Sequence, residues 1–526
     1  MEITKNNFFE ELDNITENLK RSSFVGFDAE FTAMLSGERF KHRLFDTNED
    51  RYNLIKNEVG KILMTQVGLT MFQYNRDLDK YDAIGYTFHL CPQAFGDVDQ
   101  FFIFQASTLQ FLCKHKFDFN KFIYQGLRFL NKAEEDQIRQ QLTAFDNLSN
   151  VLEMDGERQL QHYCSEVSWW LTNSDEGTMY LDIEDPILRY MTHNELRTRF
   201  DNILTTDSLG NSNKVLIYRD RYVEGANSAP LRILKDNLMS HLLGFSQIIN
   251  LLAIYKKPII GHNLFLDTIL LHNQFIGPLP HKYVMFKQNI RNFFPKMYDT
   301  KHISYVVGKK LSLDEVWKSN ALQDLYEFFS EGKCKRLEQG ANFIRLTTPF
   351  DVKQSYHEAG WDSYCSGYIF IRLGHWAACE LIGKYRPVGP TEKLSALEPY
   401  VNKVNVIRGA VLYMNLAGDD PPRQRPNLLH VKCIKERVIN VSKVASSLAA
   451  YGSVDVKPYD VRTALVAASS HFTADKILKQ FKNSADYRIT PYSPIRHSAA
   501  GKMALWSGAI LTTSIFLYFL HRKVNE

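Results

Sequence analysis

The chain has 526 residues, 44% hydrophobic and 23% charged, with a net charge of +4. These values describe an ordinary globular protein of two or three domains; the weak positive charge permits a nucleic-acid partner without arguing for one. Seven scattered cysteines without a Cys-x-x-Cys pair point to a reducing compartment and argue against a structural zinc. The first six residues hold no apolar run, so nothing there resembles a secretory signal.

Residues 7–21 carry Phe8, Phe9, Leu12, Ile15 and Leu19 at helical spacing. The stretch Val25-Gly26-Phe27-Asp28-Ala29-Glu30-Phe31-Thr32 reads as a strand, which places Asp28 and Glu30 on one face about 7 Å apart. Two carboxylates held that close repel unless a proton or a cation lies between them, so the pair predicts a divalent metal site. A charge-rich insertion (36–58) precedes two further strands, 62–72 and 81–90, joined by a polar turn. Three successive strands predict an antiparallel start to a sheet. Residues 105–130 read as helix and aromatic-rich loop, and 131–235 as an inserted helical subdomain. There Arg189 and His193 match the Arg-x-x-x-His spacing of small single-strand-binding domains.

From Leu231 a single long apolar helix delivers the chain to the short strand before Gly261-His262-Asn263, followed by a helix over 264–275. Asp267 falls in its first turn, over the strand's C-terminal end, where α/β sheets form their clefts. The next motif is His357-Glu358-Ala359-Gly360-Trp361-Asp362. Five residues on a helix turn through roughly 140°, so His357 and Asp362 share a site only if His357 lies in the entry loop, with Gly360 making the bend. Residues 386–400 read as a linker. Residues 401–485 give a β-α-β-β-α order compatible with an RRM-like domain, but its central strand, 463–468, has no aromatic residue to stack a base, which favours a packing or partner role. Beyond a second linker (486–502), residues 503–520 contain no charge and are flanked by Lys502 and Arg522. They predict a transmembrane tail helix, and so a tail-anchored protein facing the cytosol.

Asp28, Glu30, Asp267, His357 and Asp362 match, in order and local setting, the DEDD exonucleases whose histidine precedes the last Asp by five residues. The words around Phe27–Phe31, Phe104-Gln105-Ala106-Ser107, Tyr298-Asp299-Thr300-Lys301 and His357–Gly360 resemble the poly(A)-specific ribonuclease family, and with the apolar tail its membrane-anchored branch. The resemblance implies an α/β fold with an RNase H-like mixed sheet over 1–130 and 236–385. It also implies 3′-to-5′ trimming of PIWI-interacting RNA (piRNA) precursors at the mitochondrial outer membrane, more than the endoplasmic reticulum, beside a Tudor-domain adaptor, and a homodimer. Four carboxylates, Asp28, Glu30, Asp267 and Asp362, can hold two Mg²⁺ or Mn²⁺ ions, with Asp28 bridging by resemblance. His357 is suited to take a proton from water, and the products expected are nucleoside 5′-monophosphates. Phe31 is a candidate to stack a terminal base, and His262 and Asn263 to contact RNA. Lys309, Lys310, Lys333, Lys335 and Arg336 are candidates for phosphates. Pro458 and Tyr459 stand where a cap-stacking Trp is expected, which counts against 5′-cap binding. The competing readings are an mRNA deadenylase and an inactive tail-anchored scaffold.

Overall fold

The computed structural model describes residues 1–35, 37, 40–142, 154–207, 213–219, 231–310, 317–331, 340–348 and 355–524. The chain divides into two compact units, Met1–Leu35 with Lys56–Asn402, and Ser36–Ile55 with Lys403–Glu526.

The first unit is built on a mixed sheet. In spatial order its strands are Glu2–Ile3, Lys80–His89, Met64–Asn75, Phe24–Phe31, Ile259–Gly261 and Met297–Asp299, with Phe343–Leu346 also pairing with Lys80–His89. The three strands between Phe24 and His89 are antiparallel, as expected, and every other pairing is parallel. Parallel strands need long crossovers, and these carry the later helices across the sheet. The central strand Phe24–Phe31 places Asp28 opposite Gly68 and Glu30 opposite Gln66, with a bulge after Glu30.

The helix Ala359–Ile382 crosses this face, and its first twenty residues include only one, Arg372, that is not buried. It reaches the sheet because Gly26 and Gly68 have no side chains. A Cβ on Gly68 would stand 1.8 Å from the Ala359 carbonyl oxygen, and one on Gly26 would stand 2.2 Å from that of Ser363. The expected single helix from Leu231 is two, Leu231–Leu243 and Ser246–Tyr255. Gly244, at φ +45°, breaks it where the backbone of Arg128 passes. Residues 386–400, expected as a linker, contain the helix Pro390–Leu397, with Ala396 and Leu397 in the same core as the Asp362 helix.

The insertion was expected to be helical. It also carries a three-stranded antiparallel sheet in the order Thr178–Asp182, Lys214–Arg219, Ile203–Asp207. Its strands are short, and their alternation is masked by the charged residues between them.

In the second unit the order is βαββαβ, with antiparallel strands arranged Val454–Asp460, Thr463–Ala468, Leu429–Cys433, Tyr487–Pro491. The last strand lies beyond the expected boundary at 485. The charge-rich insertion belongs to this unit: the Leu44 N–H donates to Asp455 and Asn48 to Asp420.

The transmembrane expectation is corrected. Residues Ala499–Val524 form a helix, but among the described residues no helix is long and apolar enough to cross a membrane. The tail anchor, and the mitochondrial or endoplasmic-reticulum placement derived from it, are withdrawn.

Candidate active site

Asp28 and Glu30 project from the sheet face that receives the first turn of the Asp362 helix. Phe27, Ala29 and Phe31 alternate with them and are buried. The central strand thus fixes the acidic pair on a rigid support, between a hairpin on one side and the parallel strand Ile259–Gly261 on the other.

Asp267 is buried in the first turn of the helix Phe265–Leu271, as expected. The approach to that helix is held by Asp299, which ends the strand Met297–Asp299. The Asp299 carboxylate accepts from the N–H groups of Asn263 and Leu264, both at 3.0 Å, and caps its own helix at Lys301 and His302. Asn263 takes φ +68° in this loop.

His357 lies outside the helix and Asp362 in its first turn, the arrangement that the spacing required. The bend is made differently. His357 itself has φ +68°, and its N–H donates to Asp362 Oδ2 at 3.0 Å. Gly360 is helical, and a Cβ there would stand 2.1 Å from Thr87 Oγ1. Glu358 is the N-cap, accepting from the Gly360 and Trp361 N–H groups and from the Thr87 hydroxyl. The His357 ring packs against His115 at 4.2 Å and Phe111 at 4.9 Å between centroids. No sequence signal links these two residues to a histidine more than 240 positions away.

Glu30, His357 and Asp362 each offer a ligand atom, and the three atoms lie within 4.8 Å of one another. Burial, then the charges of Asp362, Asp267, Glu30 and Glu358, hold the Asp28 carboxyl well above the usual range. Glu30 is raised by burial and by Asp362, Asp267 and Glu358. Burial pushes Asp267 and Asp362 up to about 7, opposed at Asp362 by the hydrogen bond from the His357 N–H. Burial, then His115 and Lys114, lower the pKa of His357. Every charge that sets Asp28 and Glu30 is negative, and Asp362 Oδ1 is buried without a hydrogen-bond partner. An acidic cluster with an orphaned acceptor is a donor set that fits a divalent cation.

The remaining candidates fare differently. Phe31 is 8% exposed and belongs to the core, so it offers no face to a base. Both ring nitrogens of His262 are engaged, by Thr300 Oγ1 at 2.9 Å and the Asn320 carbonyl at 3.1 Å, and burial drops its pKa to about 3. It supports the Asn263 loop and presents no ring nitrogen to RNA. Lys309 packs over the Tyr305 ring and Lys310 is exposed, while Lys333, Lys335 and Arg336 lie outside the described residues. In the insertion His193 is buried, bonded to Thr205 Oγ1 at 2.9 Å and Asp207 Oδ1 at 3.0 Å. That pattern is structural.

The CAF1 family ribonuclease model matches residues 3–370. The chain is 61% identical to the pre-piRNA 3′-exonuclease trimmer of Bombyx mori, over 100% of this chain and 99% of that one. It is 29% identical to the poly(A)-specific ribonuclease PNLDC1 of Mus musculus, over 99% of each chain. Its identity to the poly(A)-specific ribonuclease PARN of Homo sapiens is 25%, over 94% of this chain and 80% of that one. With the matched model spanning the sheet and the whole carboxylate cluster, the chain belongs to the CAF1 family of ribonucleases, in its poly(A)-specific ribonuclease group.

Proposed function

We propose that the protein is a metal-dependent 3′-to-5′ exoribonuclease that trims piRNA precursors. The observation that carries this reading is the convergence of Asp28, Glu30, Asp267 and Asp362, from three distant stretches, beside one imidazole. The substrate class is supported by full-length identity to a relative named for pre-piRNA 3′ trimming.

Asp28, Glu30, Asp267 and Asp362 are the residues that would hold Mg²⁺, with Mn²⁺ as a substitute. Two such ions would supply an activated water and charge neutralisation at the departing 3′ oxygen. The protein's own part is positional. The sheet fixes Asp28 and Glu30, while the helix start and the His357 N–H aim Asp362 at them. Burial, then His115 and Lys114, lower the pKa of His357, which favours a ring nitrogen free to take the proton as water attacks the terminal phosphorus. The 3′ oxygen leaves with the shortened RNA, and a nucleoside 5′-monophosphate is released. A PIWI-bound precursor, a Tudor-domain adaptor and a homodimer complete the proposal and rest on the family resemblance alone.

The test is a time course on 5′-labelled RNA with purified protein and Mg²⁺ or Mn²⁺. A ladder receding from the 3′ end supports the reading, and an intact RNA with a free 3′-hydroxyl refutes it. Equal rates on poly(A) and mixed-sequence tails are expected; strong adenosine preference would make the protein a deadenylase instead.

A further inference from the structure

The insertion carries an open groove of about 810 Å³ between the helix Met154–Asn173 and the strand Thr178–Asp182. The helix has two faces. Leu160, Cys164 and Val167 enter the core of the insertion, while His162, Glu166 and Trp169, at spacings of four and three, line the groove. The Trp169 indole is 66% exposed, and among the described residues no ring or cation packs on it. Across the groove Tyr180 is 62% exposed and already carries the Lys214 ammonium 4.7 Å from its ring centre. Glu166 meets the His162 ring at 3.1 Å, and neither it nor Glu176 is paired with a lysine or arginine among the described residues.

The strand side of the groove is an open sheet edge. Thr178–Asp182 pairs with Lys214–Arg219 alone among the described strands. The Arg219 N–H donates to the Gly177 carbonyl and the Ile183 N–H to the Asn213 carbonyl. Those two bonds set the phase of the antiparallel ladder, so the N–H and C=O of Thr178, Tyr180 and Asp182 turn to the open side. The Asp182 carbonyl accepts from the Tyr163 hydroxyl at 3.4 Å. The backbone groups of Thr178 and Tyr180 have no partner among the described residues.

Between Met154 and Arg199 there are nine carboxylates against four arginines and no lysine, in a chain whose net charge is +4. A stretch of that sign repels phosphates and attracts cations. We propose that this groove docks an extended, arginine-bearing segment of a protein partner. The segment adds a strand along Thr178–Tyr180 and lays a guanidinium on the Trp169 indole, within reach of the Glu166 and Glu176 carboxylates. Unpaired N–H and C=O groups on a strand edge are matched by another peptide backbone. Arginine suits the side chain better than lysine, because its planar group stacks on an indole and forks to a carboxylate. The inference does not depend on the nuclease reading, because none of these residues belongs to the carboxylate cluster.

The experiment uses the full-length protein with Mg²⁺ and a fluorescein-labelled twelve-residue peptide of alternating threonine and arginine, read by anisotropy. Saturable binding is expected, weaker by roughly 10-fold in Trp169→Ser. The double variant Glu166→Gln/Glu176→Gln should also bind more weakly and lose most of the salt dependence. A peptide with lysine in place of arginine should bind the wild type several-fold more weakly, and that gap should close in Trp169→Ser. A peptide of the same sequence with its backbone N-methylated should not bind, since it cannot add to a strand edge. Trimming of a short RNA by Trp169→Ser should match the wild type. Equal affinity of the wild type and Trp169→Ser for the arginine peptide would overturn the proposal, as would undiminished binding of the N-methylated peptide. Loss of peptide binding in Asp28→Ala would overturn it by placing the peptide in the carboxylate cluster. Single-stranded RNA that binds the Asp28→Ala protein more weakly once Trp169→Ser is added would assign the groove to RNA instead. A dimer lost in Trp169→Ser by light scattering would assign it to a second copy of the chain.

Discussion

Replacing Gly68 by alanine tests the geometry on which the active site depends without touching a carboxylate. Gly68 is the cross-strand partner of Asp28, and its added Cβ would stand 1.8 Å from the Ala359 oxygen, 2.1 Å from the Ala359 carbon and 2.5 Å from the Gly360 nitrogen. Ordinary contact begins at 3.4 Å, so the helix start must retreat by about 1.6 Å. All three atoms are backbone, and no side-chain rotation relieves them. The segment that retreats carries His357 and Asp362, away from the strand carrying Asp28 and Glu30. Overpacking of this kind costs about 1–3 kcal/mol, a tolerable loss for a core of this size. Ångström-scale misplacement of reacting groups costs on the order of 10²-fold in rate. Single-turnover trimming of a 3′-labelled RNA should therefore fall about 100-fold, while melting drops by a few degrees. Gly60→Ala, where a Cβ meets nothing within 4 Å, should match the wild type in both. A Gly68→Ala protein within threefold of the wild-type rate would refute the close-approach argument, and with it the assignment of the helix start to the reaction.

Asp28→Ala should abolish trimming, by at least roughly 10³-fold, yet leave the melting temperature in EDTA unchanged or higher, because one of several mutually repelling carboxylates is gone. The metal-free protein should lose stability as pH rises. Asp267 and Asp362 titrate near 7 when folded and near 4 unfolded, so their contribution is full below pH 4 and is lost as pH climbs through about 7. Scanning fluorimetry from pH 5 to 8 with EDTA should show the decline, and Mg²⁺ should restore more stability at pH 8 than at pH 6. A flat EDTA profile would contradict the buried acidic cluster. His193→Ala should cost about 1–3 kcal/mol by removing its buried bonds to Thr205 Oγ1 and Asp207 Oδ1. RNA affinity per folded molecule should not change, and a selective loss of affinity would reinstate the single-strand-binding reading of Arg189 and His193.

The sequence by itself picked out the acidic residues and the histidine of the candidate site. Asp28 and Glu30 were legible because a strand has a period of two, and Asp267 because helix-start signals are local. His357 and Asp362 were legible because their spacing admits one arrangement. Each of those inferences uses only residues adjacent in the chain. Contacts between distant segments carry no such local trace. Only the fold decided that Phe31 is core, that both nitrogens of His262 are spoken for, that Asp299 holds the Asn263 loop, and that His115 and Phe111 wall the His357 ring. Gly26 and Gly68 stand in the sequence as unremarked strand glycines, and the helix that requires them begins about 290 residues after Gly68 and about 330 after Gly26. Local periodicity fixes which way a side chain points, and tertiary packing fixes what it meets.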